Sequence, residues 1–208
     1  VQLNLYRKIG KYYQSQNTDS ALKYFTKARN IADNGEYTSF KPDLISETAK
    51  VYFYKGKYEK AIETFKKALN VAQQNNNKQN IYSIKNNIGV IHFNLGNYDK
   101  AMKYWKPLLE SLKKINDSTG LATLYANFGV IYYSRSNFAK ALEFYLKSLE
   151  IREKMADNKG IASINSKVGL IYKKEGENSK AISHNRKAYQ IYKKMNKKRD
   201  MAKMLTNI

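Results

Sequence analysis

The sequence predicts an all-α fold assembled from about five copies of one two-helix unit, and three observations predict it. Alanine recurs every 40 residues, and most glycines recur with the same period. Apolar side chains repeat at spacings of three and four residues, which is the period of one helix face. The alternation typical of β-strands does not extend beyond a few residues. Because self-similarity at a fixed period marks a repeat architecture, the whole chain is interpreted as one array.

The recurring small residues fix the register of the units. The alanines are Ala21, Ala61, Ala101, Ala141 and Ala181. Of the ten glycines only Gly35 lacks a repeat position, and mid-helix Gly89, Gly129 and Gly169 share one register. A mid-helix glycine costs about 1 kcal/mol relative to alanine, so these positions indicate close helix packing, with the alanines as the matching small surface. Aromatic residues follow four positions after the alanines and are expected to fill the space beside this contact.

Each unit is predicted to contain two helices. In the third unit, Ile81, Ile84, Ile88 and Ile91 lie on one helix face, a break follows at 94–97, and a second helix runs from about 98 to about 114. A polar cluster with glycine at 116–120 then ends the unit. The predicted boundaries are 1–40, 41–80, 81–120, 121–160 and 161–200, with 201–208 starting a sixth unit. Both ends fall inside helical pattern, so the chain is interpreted as a fragment of a longer protein.

Two residues depart from the pattern. Pro107 lies inside a predicted second helix, where it removes a hydrogen bond and is expected to kink the helix. Asn185 replaces the aromatic residue of the fifth unit, so the core there is expected to be weaker or wetter.

The amino-acid composition excludes several classes of functional site. The 208 residues carry a net charge of +21 and include no cysteine, which excludes disulfides, thiolate metal sites and cysteine nucleophiles. The positive charge comes mainly from lysine and +9 of it lies in residues 161–208, including the basic run 193–199. Phosphate-reading surfaces favour arginine, so most of this charge is interpreted as solvated helix faces. No apolar run approaches the roughly 18 residues of a membrane span.

The motif residues resemble the tetratricopeptide repeat. In the second unit the small, tyrosine-like, alanine, aromatic and small positions are Ala49, Tyr52, Ala61, Phe65 and Ala68. The resemblance covers essentially the whole chain and is closest to the 40-residue subclass of bacterial sensor and regulator proteins. It implies a right-handed α-solenoid of about five helix-turn-helix repeats plus part of a sixth, with the first helices lining a concave groove.

The resemblance also implies which side chains face a bound segment. The groove-facing motif positions are expected to include Asn87, Asn127, Lys167, Val90, Val130, Phe93, Tyr133 and Lys173. An asparagine can donate to and accept from the backbone of an extended peptide, although Asn87 and Asn127 could instead bond to a neighbouring helix. An apolar, amide-flanked centre with a basic end suits a peptide that has apolar anchors and an acidic end.

The leading interpretation is a non-enzymatic module that binds a protein or peptide, as the sensing or scaffold part of a bacterial regulator. No catalytic constellation, cofactor or metal site is predicted, since His92 occupies a packing position and His184 a solvated or partner-facing one. The alternatives are a nucleic-acid-binding solenoid that uses the basic end, which the lysine bias disfavours, and a structural spacer that self-associates through the open C-terminal repeat. No membrane contact is expected of this segment. The sequence favours a soluble, cytoplasmic segment over a periplasmic one without fixing the compartment.

Overall fold

The computed structural model describes residues 1–34 and 37–207, so Gly35 and Ile208 lie outside the described residues. Within these ranges the chain forms eleven α-helices and one 3₁₀ helix. They are α1 Gln2–Tyr13, α2 Thr18–Asp33, the 3₁₀ helix Thr38–Phe40, α3 Lys41–Tyr54, α4 Tyr58–Gln74, α5 Lys78–Asn94, α6 Tyr98–Lys114, α7 Ser118–Ser134, α8 Phe138–Lys154, α9 Asn158–Lys174, α10 Asn178–Lys194 and α11 Lys198–Leu205. The predicted all-α repeat solenoid is confirmed.

The helices from α4 to α10 follow a strict rhythm. Each has 17 residues, and three residues connect it to the next helix. The predicted second helix of the third repeat, 98–114, coincides with α6. The basic run 193–199 forms the end of α10, the turn after it and the start of α11.

The turns explain how the chain can reverse direction within the three residues that connect one helix to the next. From residue 56 to residue 196, a residue with positive φ occurs every 20 residues, at the position where a helix stops. These residues are Gly56, Asn76, Gly96, Asn116, Ser136, Ala156, Gly176 and Asn196. The next backbone N–H donates to a carbonyl five residues earlier, as from Asn97 to His92 over 2.9 Å. This is a Schellman arrangement, which satisfies carbonyls that the helix end would leave unbonded.

Side-chain caps begin several of the helices. Asn17, Asn77, Asp117, Asn137 and Asp157 each accept a hydrogen bond from the backbone N–H three residues later. Each such cap stabilises a helix by about 1 kcal/mol. The polar clusters between units therefore end one helix and start the next.

The mid-helix glycines do permit close packing, but their partner differs from the predicted one. A Cβ atom added to Gly89 would lie 2.1 Å from Trp105 Nε1, and one added to Gly129 would lie 2.5 Å from the Tyr145 ring. The matching surface is thus the aromatic residue of the second helix and not the alanine four positions before it. In the second repeat Ala49 and Phe65 make the corresponding pair, and both are buried.

Asn185 occupies the aromatic position opposite Gly169. It is fully buried, its Nδ2 donates to the Asn207 carbonyl over 3.0 Å, and its Oδ1 has no hydrogen-bond partner. The core of the fifth repeat therefore contains a buried amide where the third and fourth repeats have an aromatic ring. Helix α6 continues through Pro107 without interruption from Tyr98 to Lys114.

The described helices group into two compact units, residues 1–108 and residues 109–208. In the first unit, the main core cluster joins α3, α4 and α5 around Phe65 and Ile88, with smaller clusters around Phe25 and Leu44. In the second unit, one cluster surrounds Tyr145 and another joins α9, α10 and α11 around Met204. None of the described helices combines the length and apolar character needed to cross a membrane.

Candidate functional site

The first helices of the first unit present a mixed apolar and amide surface. Gln14, Lys50, Phe53, Asn87 and Val90, here called the unit-1 face, line one cavity of about 250 Å³. Asn87 and Val90 come from α5, Lys50 and Phe53 from α3, and Gln14 directly follows α1. The cavity floor is apolar because Phe65 and Ile91 of the core lie beneath it. The structure thus brings two of the predicted groove residues together.

A buried carboxylate organises the polar half of the unit-1 face. The Glu47 side chain is only 7% exposed and lies 3.4 Å from Lys11 Nζ and 3.3 Å from Lys50 Nζ. Gln14 Nε2 donates to Glu47 Oε2 over 3.1 Å and to its backbone carbonyl over 3.2 Å. Burial alone would raise the pKa of Glu47, but Lys50, Gln14 and Lys11 together outweigh it and hold the pKa below 4.5. The carboxylate therefore stays charged and fixes α1 against α3.

The amide group of Asn87 remains available on this face. Asn87 is half-buried and makes no hydrogen bond to another described residue. Phe93, three residues after Val90 on α5, packs against Tyr98 with ring centroids 5.5 Å apart. Phe93 does not line the cavity that contains Asn87 and Val90.

In the second unit the corresponding helices form a basic cavity. Lys167, Ile164 and Ser163 of α9 line it with Ala126 of α7 and Arg152 of α8, and its volume is about 250 Å³. We call this set the unit-2 face. The cavity has an apolar wall, and its charged lining combines Lys167, Lys159 and Arg152 with the Asp157 carboxylate.

The two cations of the unit-2 face differ in their partners. The Arg152 guanidinium is bonded to the Asp157 carboxylate, and its Nε donates to Ser148 Oγ over 3.2 Å. Lys167 is half-buried and pairs with no carboxylate among the described residues. Burial lowers the pKa of Lys167, and the charges of Lys203 and Arg152 lower it further. Lys167 is thus a partly desolvated ammonium group that lies near two other cations.

The remaining predicted residues of the second unit lie at different places. Asn127, Val130 and Tyr133 are half-buried on α7, and Val130 and Tyr133 pack against the Tyr145 cluster. The Tyr133 and Phe138 rings are 5.6 Å apart. Asn127 does make a contact of its own, and Lys173 is exposed near the end of α9. Neither residue lines the cavity that contains Lys167.

Sequence reasoning missed several neighbours of these faces. Lys11 and Gln14 belong to the repeat before Glu47, while Arg152 lies on a second helix and Lys203 on α11. The motif positions used for prediction cover first helices one repeat at a time, so contacts that join repeats were not considered. The signal that could have indicated the pairing is the lone acidic residue Glu47 at a position that elsewhere holds lysine or asparagine.

The histidines have packing roles in the structure. His92 stacks on Tyr104 with centroids 5.7 Å apart, in agreement with the predicted packing position. His184 is half-buried and differs from the predicted solvated residue, because its Nδ1 lies 2.8 Å from Asn165 Oδ1 and its ring stacks on Tyr172. Among the described residues, no group of three histidine, aspartate or glutamate side chains could hold a metal ion.

Comparisons with known proteins place the fold. BtubC from P. vanneervenii has a TM-score of 0.78 and 23% identity, over 93% of this chain and 81% of that chain. A Rap protein complexed with Competence and Sporulation Factor has a TM-score of 0.85 and 17% identity, over 98% of this chain and 57% of the other. The Rap conjugation gene regulator of a plasmid, in complex with a peptide, has a TM-score of 0.82 and 16% identity, over 97% of this chain and 56% of the other. The chain therefore spans little more than half of these two Rap chains.

Sequence models point to the same repeat. No curated protein matches the chain. Models described as tetratricopeptide repeat match residues 80–154 and residues 49–75. The matched segments run from the middle of α3 to the end of α8, which carry the 40-residue period and the small-to-aromatic contacts described above. Residues 49–75 and 80–154 are tetratricopeptide repeats, and the fold of the chain is similar to that of the bacterial Rap regulators.

Proposed function

We propose that the chain is a non-enzymatic interaction module that binds an extended peptide or protein segment carrying apolar anchors and at least one carboxylate. The observation that supports this most strongly is Lys167, which lines the unit-2 cavity, is half-buried near Lys203 and Arg152, and has no carboxylate partner among the described residues. A desolvated ammonium group is unfavourable unless an anion approaches it. A carboxylate that entered the unit-2 cavity would stabilise the charged form of Lys167, because its attraction would offset the repulsion from Lys203 and Arg152.

The unit-1 face supplies the complementary chemistry. Asn87 has both amide donors and a carbonyl acceptor available, so it can pair with one peptide unit of an extended segment. Val90 and Phe53 offer apolar contact beside that amide. Backbone pairing by an amide together with apolar anchoring gives affinity without reading each side chain of the partner.

The same chemistry suits the sensing or scaffold part of a bacterial regulator. Two structurally similar Rap proteins are described in complexes, one with Competence and Sporulation Factor and one with a peptide. We infer that this chain also recognises a peptide, in a cytoplasmic setting.

A selection from a random peptide library on the immobilised chain tests this proposal. We expect the selected peptides to be enriched in aspartate or glutamate together with aliphatic or aromatic residues. For a selected peptide, Lys167→Ala should weaken binding about tenfold, the loss expected for one hydrogen-bonded charge, as measured by fluorescence anisotropy. Asn87→Ala combined with Asn127→Ala should also weaken it while the circular dichroism melt stays unchanged.

The matched control is Lys147→Ala. Lys147 is an exposed lysine of α8 that pairs with Glu143 over 2.5 Å, away from the unit-2 cavity. Its removal changes the net charge by the same amount and should leave peptide affinity within about twofold. Equal losses from Lys147→Ala and Lys167→Ala would show that binding depends on overall charge, and selected peptides without acidic residues would contradict the proposal.

A further inference from the structure

A second cavity of the first unit has a different lining from the unit-1 face. It lies between α4, α5 and α6, has a volume of about 530 Å³, and shares no residue with the cavity that contains Asn87. Its lining residues are Lys66, Lys85, His92, Lys100, Lys103, Tyr104 and Pro107. Four of the seven are lysines and none is acidic. We call it the His92 pocket.

The lysines of the His92 pocket are not neutralised by the protein. None of the four pairs with a carboxylate among the described residues. Some exposed lysines elsewhere on second helices do have such partners, as Lys67 has Glu63 at 2.7 Å and Lys113 has Glu110 at 2.9 Å. A concave site lined by one sign of charge concentrates the opposite charge from solution.

His92 adds a polar group inside this cationic lining. Its Nδ1 is buried and has no hydrogen-bond partner. Burial lowers the pKa of His92, and the charges of Lys100 and Lys66 lower it further. Because this nitrogen has no partner from the protein, the His92 ring is a polar part of the pocket lining that can respond to an anion bound there.

The fourth repeat has different residues at the positions that correspond to the lining of the His92 pocket. Forty residues later, Tyr132 stands in place of His92, Glu143 in place of Lys103, and Lys147 in place of Pro107. Tyr132 stacks on Phe144 with centroids 5.3 Å apart, and Glu143 neutralises Lys147. The third repeat therefore replaces an aromatic, charge-balanced patch with an open basic one.

We propose that the His92 pocket binds a small tetrahedral oxyanion, namely a phosphate or sulfate group. Lysine ammonium groups on three helices can surround such an anion from several directions, and charge-assisted hydrogen bonds to it are stronger than neutral ones. The Tyr104 ring and Pro107 form the apolar part of the lining beside these lysines. This site is independent of the peptide-binding faces.

The two histidines of the chain make a direct test possible by NMR. The ring resonances of His92 and His184 are followed while inorganic phosphate, sodium sulfate or phosphoserine is added, and sodium chloride is added at matched ionic strength. We expect phosphate and sulfate to shift the His92 resonance in a saturable way and to raise its pKa, because a bound anion favours the imidazolium form. His184 lies in the other unit and should not move.

Two charge-matched variants distinguish the pocket from general attraction. Lys103→Glu introduces the residue that the fourth repeat has at this position, and it should weaken anion binding by at least about tenfold. Lys106→Glu makes the same charge change on the same helix at an exposed residue outside the pocket and should change it by about twofold or less.

Each outcome decides the proposal. A saturable His92 shift that Lys103→Glu removes and Lys106→Glu keeps supports it. If phosphoserine produces this shift and the free ions do not, the pocket takes the phosphate group of a monoester. The proposal is overturned if both histidines respond alike, if chloride is as effective as sulfate, or if the two variants lose affinity equally.

Discussion

Replacing Gly89 with alanine tests the small-to-aromatic contact between the two helices of the third repeat. Alanine is the better helix former by about 1 kcal/mol, so helix propensity alone predicts that Gly89→Ala stabilises the protein. The contact predicts the reverse. The added Cβ would lie 2.1 Å from Trp105 Nε1 and 2.5 Å from Cε2.

The magnitude follows from how far the indole would have to move. Carbon atoms in contact are about 3.5 Å apart, so the ring must retreat by about 1.4 Å. Trp105 is 1% exposed and its Nε1 donates to the Asn86 carbonyl over 3.1 Å. Overpacking costs about 1–3 kcal/mol, and loss of the buried hydrogen bond adds about 1 kcal/mol or more. After the propensity gain, we expect a net loss of about 2 kcal/mol in the free energy of unfolding.

The assay is urea unfolding followed by far-UV circular dichroism, with Trp105→Phe as the second change. The double variant recreates the Ala49 and Phe65 pair that the second repeat already contains. It should therefore recover stability relative to the sum of the single variants, with a coupling energy of about 1–2 kcal/mol. Gly96→Ala serves as the control, because its added Cβ meets no atom within 4 Å. Gly96 has a φ of 73°, so its replacement costs about 1 kcal/mol through the backbone and should be additive with Trp105→Phe.

Two results would refute this reasoning. One is a Gly89→Ala variant as stable as the parent chain or more stable. The other is strict additivity of Gly89→Ala and Trp105→Phe, which would mean that the two side chains do not compete for one space.

Three further predictions concern charge, core polarity and backbone. The contribution of Glu47 is fully present above pH 4.5 and is lost as the pH falls through its lowered folded-state pKa, so the advantage of the parent over Glu47→Gln in urea unfolding should shrink at acid pH; a pH-independent difference would contradict this. Asn185→Tyr should raise the melting temperature by removing a buried unbonded oxygen opposite Gly169, with a gain of about 1 kcal/mol, whereas a lower melting temperature would show that the polar pair is required. Ala156→Gly should stabilise the chain by about 1 kcal/mol because φ is 53° there, and no gain in thermal unfolding would argue against strain at this turn.

The period and phase of the helices were predictable because they depend on local chemistry. Apolar spacing and the small residues predicted the bounds of α6 in the third repeat. The partner of Gly89 was not predictable in the same way. Ala101 and Trp105 lie four residues apart on one helix face, so either could oppose the glycine from the other helix. Only the separation and rotation of the two helices decide between them.

The candidate site was predictable in part for a similar reason. Lys167, Asn87 and Val90 were assigned from their motif positions, and the structure gives two of them a common cavity. The environment of Lys167 was not predictable, because its neighbours Arg152 and Lys203 come from other helices. The His92 pocket was missed because each of its residues looks ordinary alone, and its character arises only where α4, α5 and α6 meet.

The constant alternation of 17 helical residues and three connecting residues restricts which insertions and deletions this chain can accommodate. An α-helix has 3.6 residues per turn, so one inserted residue rotates everything after it by about 100°. Such an insertion in any helix from α4 to α10 would turn the following apolar stripe away from its neighbour. Copying or deleting a whole 40-residue unit leaves every stripe in phase. Length variants of this array are therefore expected to differ by complete repeats, so that the protein grows in modules and not by single residues.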